Sequence, residues 1–203
     1  MSQINEVKQE VCSTKNKIID IAESLFSRFN YLAVTMDDIA DMLKITKPAL
    51  YYHFKSKEEL FIEMAKDIFK DFSNIIDEVL TRDIPLEKKF KEVLRVYINF
   101  SLEKRDLGRL MMQKFSKKDK KIIKLMRGFK QAIIGQIDPL INEIMILKNY
   151  DKKIDSKLVT LLLIGALNAL ATSEITIKSN NWNANQISNQ VASMIFTNNK
   201  QII

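Results

Sequence analysis

Glycine and proline are scarce in this chain, with four Gly and three Pro among 203 residues. Hairpins and tight crossovers depend on these two residue types, so a sandwich, a barrel or an alternating strand–helix fold would need more of them. Hydrophobic residues make up 46% of the chain and charged residues 28%, which is ample material for a core. The composition therefore predicts an all-α protein.

The chain also lacks the residues of several kinds of site. Cys12 is its only cysteine and His53 its only histidine, and the four glycines form no phosphate-binding loop. Residues 1–9 are polar, unlike a signal peptide, and the longest strongly apolar stretch (158–171) is shorter than the roughly 20 residues of a membrane span. We expect a cytoplasmic protein that is not an enzyme, carries no cofactor or metal and does not associate with a membrane.

Apolar residues recur at spacings of three and four along most of the chain, which predicts about nine amphipathic helices. The expected helices are Ser13–Phe29, a short one from Thr35, a short one from Thr46 to Phe54, one from Ser56 to Leu80, one after Pro85, one over Asp106–Phe115, one from Asp119 that Pro139 kinks or breaks, one over 156–177 and one from Asn183 to Phe196.

The second and third of these helices are short and are joined by Leu43-Lys44-Ile45-Thr46. Thr35 and Thr46 stand at their expected N-caps, and Pro48 falls in the first turn of the third helix, where its missing N–H costs nothing. A steep pair of helices with a turn of this length has the dimensions of a helix-turn-helix, whose second helix enters the major groove of DNA.

The charge is unevenly distributed, and its position is more informative than the net value of +7. Residues 1–81 carry 10 Lys/Arg and 14 Asp/Glu, whereas residues 82–130 carry 16 Lys/Arg and 6 Asp/Glu. Within the acidic first part, Lys44, Lys47, Lys55 and Lys57 lie in a window without a carboxylate. This concentrated basic region coincides with the expected helix-turn-helix.

A second basic run extends from Lys114 to Lys130 and contains Lys117, Lys118, Lys120, Lys121, Lys124 and Arg127. Its simplest interpretation is a solvated helix face. An anionic effector such as an acyl-coenzyme A, or nearby DNA phosphates, would also fit it.

Two segments, Thr35-Met36-Asp37-Asp38-Ile39-Ala40 and the run from Ile45 to Leu60 (ITKPALYYHFKSKEEL), resemble the N-terminal signature of TetR-type transcriptional repressors. The resemblance implies a dimer with a DNA-binding domain over residues 12–72 and an effector-binding and dimerisation domain over residues 73–203. It implies backbone phosphate contacts for Thr35, Tyr51 and Lys57, and a recognition helix with Thr46, Lys47, Ala49, Tyr52 and His53, to which the basic region adds Lys44 and Lys55. His53 could instead be a packing residue.

Asn30 and Lys44 stand where this family commonly has glycine. Asn tolerates a left-handed conformation, but Lys44 would be strained in one. Either the turn differs slightly or Lys44 gains a phosphate contact in exchange.

The rest of the chain is expected to form a helical bundle with an apolar effector pocket. Large, adaptable side chains that suit such a pocket are Phe69, Tyr97, Phe100, Met111, Phe115 and Phe129. The simpler interpretation of most of them is that they are core residues of the bundle. Asn168 lies in an apolar run and needs a polar partner, either in this pocket or across an interface. The small residues Gly165, Ala166, Ala169 and Ala171 allow close approach of a second helix, and the resemblance implies that the last two helices form the dimer interface.

These observations predict a ligand-responsive transcriptional regulator. It would be a repressor that binds a near-palindromic double-stranded operator as a homodimer and is released by a small, largely apolar effector. The alternative is a helical protein that binds a small molecule and has lost sequence-specific DNA binding.

Overall fold

The structure is a computed structural model that describes residues 2–29, 31–103, 118–173 and 181–196. These residues form eight α-helices and no strand, which confirms the prediction of an all-α fold. The helices are α1 (Ser2–Phe29), α2 (Met36–Leu43), α3 (Lys47–His53), α4 (Lys57–Thr81), α5 (Leu86–Glu103), α6 (Lys120–Leu147), α7 (Ser156–Thr172) and α8 (Ala184–Phe196). The helix expected over residues 106–115 lies outside the described residues.

The chain divides into two compact units. The first contains the described residues up to Phe69 together with those from the turn before α6 up to Arg127. The second contains the described residues from Lys70 to Glu103 and from Gly128 onward. Helices α4 and α6 therefore each contribute residues to both units.

The core of the first unit is built around aromatic side chains. The rings of Phe26, Tyr31 and Phe61 contact one another, with centroids 4.9–5.8 Å apart. Aromatic pairs at this spacing are favourable beyond the area that they bury. Around them α1 buries Ile18 and Ala22, which lie four residues apart on the same helix face.

In the second unit α5 is the central helix, with Phe90, Val93, Leu94, Tyr97 and Ile98 buried on one face. Helix α8 packs against it and brings the ring of Phe196 to 5.9 Å from that of Phe90. The same core takes residues from α4, α6 and α7, including Phe72, Ile137 and Ile164.

Pro139 is expected to kink or break its helix. A break is wrong, because α6 continues through Pro139 to Leu147, and the kink stays a prediction. A proline inside a helix removes one hydrogen bond and crowds the carbonyl four residues earlier, at a cost of about 3 kcal/mol. Pro139 faces solvent, and the residues on either side of it, Ile137 and Leu140, are both buried in the same core. Burial of both halves of α6 offsets the lost bond.

Two helix ends also differ from expectation. Helix α1 begins at Ser2 rather than Ser13. The added residues include Gln, Glu and Lys, which favour helices, and Ile4, Val7 and Val11 continue the spacing of three and four. Helix α7 ends at Thr172 rather than at 177, where the Ser173 N–H bonds the Leu170 carbonyl at 3.1 Å and the Ser173 hydroxyl donates to the Ala169 carbonyl. None of the described helices is both long and apolar enough to cross a membrane.

Candidate nucleic-acid interface

Helices α2 and α3 form a short pair that is held to the first unit by a few buried side chains. Helix α2 buries Met36, Ile39 and Ala40, and α3 buries Leu50, with Phe54 directly after it. Because α3 has only seven residues and a single buried side chain, most of its surface is presented to solvent. The arrangement is the expected helix-turn-helix.

The N-terminus of α2 is closed by the capping box predicted at Thr35. The Asp38 N–H donates to Thr35 Oγ1 at 3.1 Å, and the Thr35 N–H donates to Asp38 Oδ2 at 2.8 Å. The Thr35 hydroxyl also donates to that carboxylate oxygen, and these bonds lower the pKa of Asp38. Asp38 thus performs the role usually taken by Glu or Gln.

Lys44 adopts the left-handed conformation, with φ 55° and ψ 38°. Its N–H bonds the Asp41 carbonyl, and the N–H of Ile45 bonds the Ala40 carbonyl, each at 3.1 Å. These bonds satisfy carbonyls at the end of α2 and turn the chain toward α3. The turn therefore has the backbone geometry that a glycine would favour, and the Lys44 side chain makes this conformation strained.

The solvent-facing side of α3 carries the residues expected to meet DNA. Tyr52 is 69% exposed, Tyr51 and Ala49 are also exposed, and His53 is half-buried with its ring edge-on to that of Tyr52 at 5.2 Å. Thr46 caps the helix by accepting the Ala49 N–H at 3.3 Å. The T-shaped contact to Tyr52 shows that His53 packs against a neighbouring ring, which its lone position in the sequence did not reveal.

Lys47, in the first turn of α3, is paired with a carboxylate of α2. Its Nζ lies 2.6 Å from Asp37 Oδ2, and both side chains are largely exposed. The hydrogen bond to Asp37 and the charge of that carboxylate raise the pKa of Lys47. The ion pair links the starts of the two helices, and Lys47 must leave Asp37 to reach a base.

The start of α4 is fixed by a second cap. The Glu59 N–H donates to Ser56 Oγ at 3.1 Å, and Glu59 Oε2 accepts the N–H of Lys55 at 2.8 Å. The Glu59 carboxylate thus bonds the residue before Ser56, a variation on the predicted capping box. The Lys55 ammonium donates to the Tyr51 carbonyl at 3.2 Å and so lies over the end of α3.

Lys57 has a structural role that the sequence did not indicate. Its Nζ donates to the carbonyls of Tyr31 and Val34, both at 2.9 Å, and lies 4.5 Å from the centre of the Tyr31 ring. Burial lowers the pKa of Lys57, an effect that the carboxylate of Asp119 opposes. Burial, together with Asp119 and Glu58, raises the pKa of Tyr31 to about 12. Lys57 thus ties the α1–α2 connection to the first turn of α4.

Most of the predicted DNA-binding residues lie on the surface of the first unit. Those exposed are Thr35, Lys44, Thr46, Lys47, Ala49, Tyr51, Tyr52 and Lys55, whereas His53 and Lys57 are half-buried. Their contacts with DNA stay predictions.

In the second unit, the structure brings together part of the expected effector pocket. The Tyr97 hydroxyl donates to Asn168 Oδ1 at 2.9 Å, so the polar partner that Asn168 needs is supplied by α5. Burial raises the pKa of Tyr97 to about 12, and the hydroxyl stays a hydrogen-bond donor at neutral pH.

Phe72, on α4, stands at the centre of this group. It stacks on Phe100 with ring centroids 4.1 Å apart and contacts Tyr97 at 5.7 Å and Phe129 at 6.1 Å. The sequence placed Phe72 on the apolar stripe of its helix but could not show which aromatic residues converge on it. Met111 and Phe115 lie outside the described residues, and Phe69 is buried in the first unit.

Gln136 is a polar residue of this unit that sequence reasoning missed. Its Nε2 donates to the hydroxyl of Ser73 at 2.7 Å and to Asp77 Oδ1 at 2.8 Å, which links α6 to α4. Its Oε1 is buried without a hydrogen-bond partner in the described structure. Among the described residues, no group of three or more His, Cys, Asp or Glu side chains is placed to hold a metal ion.

One side of α7 leaves a row of apolar and small residues exposed. Leu162 is 65% exposed, and the other members are Leu158, Leu161, Gly165, Ala166 and Ala169. A contiguous apolar surface of this kind is typical of an interaction site.

Comparison with known proteins agrees with this geometry. Residues 18–64 match the family model described as bacterial regulatory proteins, tetR family. The chain is 27% identical over 152 residues to the HTH-type transcriptional regulator YhgD of Bacillus subtilis, which covers 67% of this chain and 80% of YhgD.

Two further similarities differ in how much of the chain they cover. It is 47% identical over 62 residues to IcaR of Staphylococcus aureus, a negative transcriptional regulator of the biofilm operon icaADBC, over 30% of this chain and 33% of IcaR. Its fold is similar to that of the transcriptional regulator FadR from Bacillus subtilis in complex with stearoyl-CoA, with a TM-score of 0.72 at 16% identity over 88% of this chain and 96% of FadR.

Proposed function

We propose that this chain, a TetR-family helix-turn-helix transcriptional regulator, acts in the cytoplasm as a homodimeric repressor. A largely apolar small molecule releases it from a near-palindromic operator. The observation that carries this proposal is the exposed face of α3, which α2 and a single buried leucine hold outward from the first unit. Repression is also the activity of IcaR, a negative transcriptional regulator to which 62 residues of this chain are similar.

DNA recognition follows from the chemistry of that exposed face. Lys47 lies in the first turn of α3, the part of a recognition helix that meets base edges, and its ammonium can donate to guanine acceptors in the major groove. Tyr51 and Lys55 carry donors suited to phosphate oxygens, which position a protein without reading sequence. The Thr35 hydroxyl joins them only by giving up its bond to Asp38. Asp37 competes with DNA for Lys47 and so weakens DNA binding.

Dimerisation supplies the second recognition helix. The exposed apolar row on α7 is the surface we assign to the partner protomer, because its small residues let another helix approach closely and its leucines gain most from burial. A two-fold dimer reads two half-sites about 34–36 Å apart, which explains why a near-palindrome is expected.

The effector site is assigned to the aromatic group around Phe72. Three phenylalanine rings and the buried Tyr97 form an apolar cluster, in which the Tyr97–Asn168 hydrogen bond is a polar point. An apolar effector would enter by displacing part of this cluster. Phe72 lies on α4, whose residues belong to both units. An effector that packs against Phe72 therefore acts on the helix that carries Lys57, and it releases DNA if it binds the DNA-incompetent state more tightly.

The proposal is tested by selecting fragments of the source genome with the purified protein and sequencing those that bind. A near-palindromic motif, bound with one dimer per site, is the expected result. Correctly folded protein that enriches no motif would contradict DNA recognition and would favour a small-molecule-binding protein without an operator. Apolar acids and their coenzyme A thioesters, added to the selected duplex, then test release.

A further inference from the structure

The first turns of α6 belong to the same compact unit as the helix-turn-helix. Lys121 Nζ lies 3.9 Å from Glu58 Oε2, in the first turn of α4. The Asp119 carboxylate, just before α6, is close enough to Tyr31 and Lys57 to affect the pKa of both groups. The start of α6 therefore lies beside the end of α4 that carries the predicted phosphate contact of Lys57.

This part of α6 is strongly basic on its outer side. Between residues 118 and 127 there are five cations and one carboxylate, and the side chains of Lys118, Lys120, Lys121, Lys124 and Arg127 are all exposed. Ile122 is fully buried and marks the opposite, inward side. At 100° per residue, Lys120, Lys124 and Arg127 fall within an arc of about 60° that faces away from Ile122.

These three side chains have no ion-pair partner within the described structure. Other basic residues are neutralised by carboxylates, as Lys15 is by Glu63, Lys91 by Glu87 and Arg82 by Glu78 and Glu92. Like charges three and four residues apart on a helix repel one another. The face therefore has an unbalanced positive field that an external anion would neutralise.

We propose that Lys120, Lys124 and Arg127 form a second DNA-contacting surface, which binds backbone phosphates of the duplex beside the operator without reading its sequence. The inference rests on the proposed function. The row runs for about 10 Å along an open helix face. An extended polyanion suits such a row better than a small anion, which would need an enclosing site.

The protein then neutralises more DNA phosphates than the helix-turn-helix alone can reach. Each phosphate neutralised by a cation releases condensed counterions and adds about 0.9 to the slope of log K against log salt concentration. Three contacts add up to about 2.7 to the slope for each protomer, and they require DNA that extends past the half-sites.

The test compares the triple variant K120Q/K124Q/R127Q with a matched control, K152Q/K153Q/K157Q, which removes the same charge from exposed residues of the second unit. Both are titrated against two duplexes, the genomically selected site trimmed to its half-sites and the same site with about one extra helical turn on each side, at several salt concentrations.

Wild type and the control variant are expected to bind the longer duplex more tightly. The triple variant is expected to lose that advantage and to bind the longer duplex at least about tenfold more weakly at 0.15 M salt, with a slope lower by about 2–3 per protomer. Its preference among operator sequences stays the same, because phosphate contacts carry no base information.

An unchanged slope and an unchanged dependence on duplex length in the triple variant would overturn the inference. So would a variant that binds DNA normally but loses affinity for a coenzyme A thioester, because the face would then serve an effector. Failure of wild type to prefer any sequence would instead contradict the proposed function itself. Thermal unfolding by circular dichroism checks the fold, and the single variant K124E replaces the triple variant if the latter unfolds.

Discussion

At the scale of single residues, Lys57 stabilises the fold in addition to its predicted contact with DNA. Its ammonium bonds two backbone carbonyls of the α1–α2 connection, so Lys57→Ala removes a charged donor from both of them. We expect the variant to unfold at lower urea concentration, with a loss of about 1–2 kcal/mol after allowance for partial exposure. We also expect weaker binding to all duplexes alike and a salt slope lower by about one.

Lys57→Arg is the matched control, because it keeps the charge but cannot place one compact ammonium between both carbonyls. It should recover most of the salt slope and only part of the stability. A sequence-selective loss in Lys57→Ala would contradict a phosphate role.

Lys47 is the residue predicted to read sequence. Lys47→Ala should reduce discrimination at one base pair of each half-site by about 1–3 kcal/mol while leaving binding to random duplex nearly unchanged. The measurement is a repeated fragment selection with the variant. Asp37→Asn, which removes the competing carboxylate, should strengthen DNA binding without changing the motif, and an identical motif for Lys47→Ala would refute the assignment.

At the scale of elements, a substitution in the turn between α2 and α3 should change stability and DNA binding in opposite directions. A side chain in the left-handed conformation costs about 1 kcal/mol that glycine does not, so Lys44→Gly should raise the free energy of unfolding by up to that amount. If the strain is retained for a phosphate contact, the same variant binds DNA more weakly despite its greater stability.

Lys44→Asn serves as control, because Asn tolerates the same backbone conformation and also lacks the charge. Urea unfolding and duplex titration are measured on all three proteins. Equal DNA affinity for wild type and Lys44→Gly would show that the lysine makes no contribution to binding.

At the scale of the whole molecule, dimerisation and DNA recognition should fail together. Leu162→Glu places a carboxylate in the middle of the exposed apolar row of α7, where burial against a partner would leave the charge unpaired. The variant should sediment as a monomer and lose operator binding, since one half-site contributes only part of the affinity. Asn142→Glu, at an exposed position of α6, adds the same charge and should remain dimeric.

Properties that depend on neighbours along the chain could be predicted from the residues alone. The scarcity of Gly and Pro indicated an all-α fold, and the caps at Thr35 and Thr46 located α2 and α3 because capping bonds span only three residues. The basic window from Lys44 to Lys57 and its resemblance to a known family identified the candidate interface.

Properties that depend on residues distant in the chain required the folded structure. It placed Lys57 on the carbonyls of Tyr31 and Val34, gathered Phe100 and Phe129 around Phe72, and allowed α6 to continue through Pro139. Local patterns report periodicity and caps, whereas burial and long-range hydrogen bonds exist only after helices pack. That packing also placed the basic start of α6 beside α4. This position supports the proposal that the basic surface contacts DNA phosphates.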